Sequence, residues 1–110
     1  MSTSLESVRD ALRQFVADRE WGQFHTAGNL AKSISIGAGE LLENYQWSDN
    51  ADTAAVKYEL ADVLTYAYLL ADKIGLDPHE IIIEKLAITD EKYPVERSRG
   101  RSEKYDRLPD

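Results

Sequence analysis

Four acidic residues carry the strongest chemical signal in the sequence. Glu40 and Glu43 stand three apart in GAGELLENYQW (37–47), and Glu59 and Asp62 stand three apart in YELADVLTYAY (58–68). On a helix, residues three apart are neighbours on the surface. Carboxylates crowded at one place repel each other unless a cation sits between them. Oxygen donors unaccompanied by histidine or cysteine suit magnesium or manganese. Acids at this spacing are also ordinary solvated decoration of an acidic helical protein, so their placement has to decide.

The placement follows from helix geometry. Leu30, Ile34, Ala38, Leu41 and Tyr45 form one stripe on a helix expected over about 29–47, and Val56, Leu60, Val63, Leu64, Ala67, Leu70, Ala71 and Ile74 form a wider one over about 53–74. At ~100° per residue, Glu40 lies ~120° from the centre of the first stripe and Glu43 near the back, while Glu59 and Asp62 lie ~100° and ~160° from the centre of the second. The two pairs sit on the same hand of their stripes. The turn-forming SDNAD (48–52) makes the helices antiparallel neighbours, so flanks of the same hand converge. Counted from Asn50, Glu40 is ten residues before and Glu59 nine after, a common level about 15 Å from the turn. Glu40 is expected to face Glu59, and position 37 to face Asp62. Position 37 is glycine, which costs ~1 kcal/mol relative to alanine inside a helix.

The remaining elements frame this pair. Leu5, Val8, Leu12, Phe15 and Val16 predict an amphipathic helix over about 4–20, with Ser4 as its cap and Ser7 in the first turn. WGQFHTAG (21–28) has no period and reads as a loop. Gly75 closes the third helix, and Asp77-Pro78 opens a fourth through about Lys92. Tyr93-Pro94 ends it, and no strand, repeat or low-complexity segment is evident. The expected fold is all-α: a single domain over 1–110, a four-helix bundle-like protomer with a basic tail from 93 to 110.

Composition limits the partners. The net charge of −7 argues against binding nucleic-acid polymers, although a free nucleotide can arrive with a divalent cation. Residues 92–107 hold six of the 13 basic and three of the 20 acidic residues, so the tail is about +3 and the rest about −10. With no cysteine, thiolate catalysis and disulfides are excluded. MSTSLESVRD lacks the pattern of a signal peptide, and no apolar run approaches ~18 residues; a cytoplasmic protein with no membrane role is expected. A small chain with wide apolar stripes suggests a homo-oligomer.

The chain resembles the all-α MazG-like nucleotide pyrophosphohydrolases, most of all their dCTP pyrophosphatase branch. REWGQFHTAGNL, GELLENYQW, ELADVLTYAYLLA and KYPVERSRGRSEKY carry the resemblance in the same order, across roughly 15–107. It implies hydrolysis of a nucleoside triphosphate to monophosphate and pyrophosphate, with Mg²⁺ held by an ExxE and an ExxD motif. The ExxD falls on Glu59 and Asp62. The ExxE falls on positions 37 and 40, with Glu43 following, so Gly37 replaces a ligand glutamate. An altered site, an engineered substitution, or compensation by Glu43 are the open explanations.

The resemblance further gives Trp21, His25, Asn29, Trp47 and Tyr66 roles around a pyrimidine base such as that of dCTP, and sets Lys85 and Tyr93 near the phosphates. Thr89 stands where that family's pattern has asparagine. It also implies dimers or dimers of dimers. Core packing is the ordinary role of a tryptophan, and a solvated strip on an acidic body that of a basic tail. The chemistry implied is metal-assisted hydrolysis by Glu40, Glu43, Glu59 and Asp62, with Glu43 the candidate base. A non-catalytic nucleotide-binding protein and a plain helical oligomerisation module are the alternatives.

Overall fold

The computed structural model describes residues 3–110 and is helical throughout, with no strand among them. Five α-helices follow one another: α1 (Leu5–Asp18), α2 (Ala27–Glu43), α3 (Thr53–Lys73), α4 (Pro78–Lys92) and α5 (Val95–Ser98). Single 3₁₀ turns occupy Trp21–Gln23 and Tyr105–Arg107. The chain divides into two compact units, Met1–Pro78 and His79–Asp110.

Local chemistry sets the boundaries in the first unit. Ser4 caps α1, its side chain accepting from the Ser7 backbone N–H at 3.2 Å. Beyond the helix the chain turns through Glu20 at φ 54°, a left-handed conformation that costs a non-glycine residue of order 1 kcal/mol. Thr26 caps α2, accepting from the Asn29 N–H at 3.1 Å, so the helix begins at Ala27, two residues before the expected Asn29.

The expected end of α2 at Trp47 is corrected to Glu43. The last turn tightens to Asn44 N–H on Leu41 O at 3.2 Å and Tyr45 N–H on Leu42 O at 2.9 Å, and the Asn44 side chain donates to the carbonyls of Glu40 and Leu41. A short polar side chain satisfying the end of its own helix stops it. Asp52 caps α3, and Gly75, at φ 77°, supplies the left-handed residue just past it.

α2 and α3 form the principal packed pair, and α1 and the Trp21–Gln23 turn complete the unit. Leu30 and Ala71, 2% and 5% exposed, are among its buried apolar side chains, with Pro78 at the start of α4. Apolar side chains also face outward: Ile36, Leu42 and Tyr58, which lie outside the two stripes, and Leu60 and Leu64 within the second are exposed. In the second unit, the basic tail contains α5 and the Tyr105–Arg107 turn, in addition to the four expected helices. Tyr105 donates its N–H to the Tyr93 hydroxyl at 3.1 Å and stacks edge-on against the Tyr93 ring, with Leu108 buried. Aromatic pairing thus gives a polar tail structure that its charge pattern does not announce.

Candidate active site

Along the α2–α3 seam, Glu59 lies within reach of the charges of Glu40, Glu43 and Asp62. Glu59 is half-buried, and its Oε2 is shielded from water with no hydrogen-bond partner. Burial, then the charge and hydrogen-bond reach of Glu40, then the charges of Asp62 and Glu43, hold its carboxyl above the usual range. The expected opposition of Glu40 and Glu59 is therefore present.

Position 37 is placed slightly differently from the expectation. Gly37 is buried, and a Cβ built there points at Val63, 3.4 Å from its Cγ2 and 3.9 Å from its backbone N, rather than at Asp62. Val63 is the next residue along α3, one step of ~100° around the helix. Glycine lets the helices approach here, and 3.4 Å is at the near edge of ordinary contact, so a Cβ fits without displacing Val63.

Among the described residues, no three His, Cys, Asp or Glu side chains are gathered into a closed ligand shell. Glu40, Glu43 and Asp62 are exposed, where like charges spread into water, and Gly37 adds no oxygen. The donor chemistry nonetheless fits a hard divalent cation: carboxylate oxygens alone, one of them dehydrated and lacking a partner.

Beside the seam lies a cavity of about 240 Å³ between α1, the Trp21 turn and α3, lined by Leu12, Phe15, Trp21, His25, Asp62, Thr65, Tyr66 and others. Trp21 meets Phe15 edge-on at 5.5 Å and His25 at 6.3 Å, and the Arg19 guanidinium covers the outer face of Phe15 at 3.7 Å. Flat aromatic walls with a few polar groups are what a heterocyclic base needs for stacking and orientation. Asp62 belongs to both places: it lines the cavity and its charge acts on Glu59.

Of the expected base-contacting residues, Trp21, His25 and Tyr66 are thus brought together. Trp47 is not: it follows the end of α2, is 89% exposed, and lines no part of the cavity. Asn29 also lies outside the lining, its side-chain amide donating to the Phe24 carbonyl at 2.9 Å. Lys85 and Tyr93 belong to the second unit, where Lys85 is exposed on α4 and Tyr93 holds Tyr105. Leu12, Phe15 and Thr65 are lining residues that sequence reasoning missed. Phe15 was absorbed into the α1 stripe, and Thr65 carries only its i+3 relation to Asp62 as a signal.

The MazG-like family matches residues 32–108. The dCTP pyrophosphatase 1 of Rattus norvegicus is 36% identical over 116 aligned residues, covering 96% of this chain and 68% of that protein. That of Homo sapiens is 34% identical with the same coverage. Among solved structures, a pyrophosphatase from Archaeoglobus fulgidus superposes with a TM-score of 0.78 at 37% identity, over 86% of this chain and 95% of that one. By fold, family match and sequence similarity, the chain belongs to the MazG-like family, in its dCTP pyrophosphatase branch.

Proposed function

We propose that this chain is a nucleoside triphosphate pyrophosphohydrolase that takes a dCTP-like pyrimidine nucleotide to its monophosphate and pyrophosphate. The observation that carries the reading is the double membership of Asp62, which joins a carboxylate seam suited to cationic phosphate chemistry to an aromatic cavity suited to a base. With the base among Phe15, Trp21, His25 and Tyr66, the phosphates would reach the seam by way of Asp62.

Glu40, Glu43, Glu59 and Asp62 would hold Mg²⁺ or Mn²⁺, which when bound neutralises phosphate oxygens and stabilises charge in the transition state. Glu43, exposed at the end of α2, would accept the proton of the attacking water. The dehydrated Glu59 oxygen gains from a cation what no protein donor gives it. With Gly37 in place of the ligand glutamate of the family's pattern, turnover is weak.

A non-catalytic nucleotide-binding role is the second reading, and Gly37 is what favours it. The exposed Ile36, Leu42, Tyr58, Leu60 and Leu64 support assembly as a homodimer or homotetramer, read by light scattering. The deciding experiment is a pyrophosphate-release screen across nucleoside triphosphates with Mg²⁺ and Mn²⁺, on this chain and its Gly37→Glu form. Release in either favours the enzyme. Tight dCTP binding without product in both favours the second reading, and neither binding nor product ends both.

A further inference from the structure

The loop that supplies Trp21 and His25 has no periodic stripe to pin it, yet it carries two of the cavity's walls. Three sets of bonds hold it. Phe24 N–H donates to Trp21 O at 2.9 Å, His25 N–H is shared between Trp21 O and Gly22 O at 3.2 and 3.3 Å, and Asn29 Nδ2 donates to Phe24 O at 2.9 Å. The first two lie within the turn itself. Asn29 alone among them ties the turn to α2, reaching back over His25 and Thr26 from the first turn of that helix while its own N–H is taken by the Thr26 cap.

We infer that Asn29 is a positioning residue, fixing the Phe24–His25 backbone so that the His25 ring and its edge-on partner Trp21 keep the cavity shaped for a base. This rests on the nucleotide reading above and moves Asn29 from contacting the substrate to acting through His25. The side chain is outside the cavity lining, so a direct contact has no geometric support. One neutral hydrogen bond is modest by itself, but a displaced stacking partner loses the base contact as well.

Asn29→Asp is the sharp test. It keeps the size, replaces the donor with an acceptor facing the Phe24 carbonyl, and places an acid in the first turn of α2, where the helix dipole favours it. A variant that weakens nucleotide binding by damaging the fold is thereby separated from one that misplaces the loop. Two readouts are taken: dCTP affinity by calorimetry with Mg²⁺, and the emission and acrylamide quenching of Trp21 without nucleotide, in a Trp47→Phe background that leaves it the lone tryptophan. The expected result is a roughly five- to tenfold weaker Kd and a more quenchable Trp21, with the melting temperature held within about 2 °C.

Unchanged Trp21 quenching overturns the inference, whatever happens to Kd: with weaker binding it makes Asn29 a direct contact, and with unchanged binding it gives Asn29 no role. A large fall in melting temperature also overturns it, by making Asn29 an element of general stability. Absence of dCTP binding in the parent chain would sink the nucleotide reading alone, because the nucleotide-free quenching still reports whether Asn29 holds the loop.

Discussion

The carboxylate seam and the aromatic cavity share Asp62 but are built in opposite ways. The seam is made of two regular helices, so spacing along the chain fixes which side chains meet, and electrostatic repulsion is what the fold tolerates there. The cavity is made of one helix face, one turn and one edge of α3, held by ring contacts and local hydrogen bonds. The first crowds like charges, which a bound cation would relieve; the second is held by contacts already made. Metal and base should therefore respond to different substitutions.

The largest separation should come from position 37. Gly37→Glu adds a carboxylate to the seam at a place where the Cβ already has room. Helix propensity favours the change by somewhat under 1 kcal/mol, and repulsion with Glu40, Glu59 and Asp62 opposes it. Without divalent cation the melting temperature should change little or fall, and with Mg²⁺ it should rise more than that of the parent, by mass action. Pyrophosphate release should increase on the order of a hundredfold, the size of effect that one preorganised charge-stabilising group has elsewhere. If neither Mg²⁺ affinity nor release changes, position 37 is not part of the seam.

The converse change is Trp21→Ala, on the cavity side. Loss of one stacking face should weaken dCTP binding about ten- to a hundredfold. The Mg²⁺-dependent rise in melting temperature, measured without nucleotide, should stay as in the parent. A drop in that rise would mean that the two regions are energetically one site, and their independence would fail.

Glu59→Gln sharpens the strain argument. It removes a charge from the most crowded point of the seam and leaves an amide that can donate to Glu40. In metal-free buffer the variant should melt a few degrees higher than the parent, about the size of one lost repulsive pair in a domain this small. In Mg²⁺ that advantage should shrink or reverse. A variant less stable than the parent under both conditions would show that Glu59 is held by favourable contacts and that the seam is not strained.

How far the molecule could be read from its sequence follows the same division. Helix existence, the caps at Ser4 and Asp52, Gly75 as the left-handed stop and the meeting of Glu40 with Glu59 all derive from periodicity and backbone rules, which act over a few residues. The end of α2 is not legible, because an apolar stripe continues through Tyr45 while the side chain of Asn44, a single residue, closes the helix and leaves Trp47 beyond it. Phe15 and Thr65 could not be singled out, because lining a cavity depends on which face of α1 and α3 the turn happens to cover. The order in the tail rests on a pairing twelve residues apart, Tyr93 with Tyr105, that no local pattern encodes.

The smallest expected effect concerns what holds the cavity's outer helix. Arg13 on α1 grips Asp72 on α3 with both ends of its guanidinium, Nε to Oδ2 at 3.0 Å, and Arg9 adds a longer pair to Asp77 at 3.5 Å. The hydrogen bonds from Arg13, partly offset by burial, hold the Asp72 carboxyl below its ordinary 3.8. A carboxyl depressed in the folded state contributes stability above its unfolded pKa and loses that contribution as the pH falls through the folded value. The melting-temperature gap between the parent and Asp72→Asn should therefore be constant from pH 8 to about pH 5 and close as the pH is lowered below about 4. Because the pair is solvent-exposed, the gap should be only a few degrees and should narrow in high salt. A gap that widened on acidification would place the stabilisation in some other group. A gap insensitive to both pH and salt would mean that Asp72 acts by packing, leaving the α1 side of the cavity fastened by its apolar contacts alone.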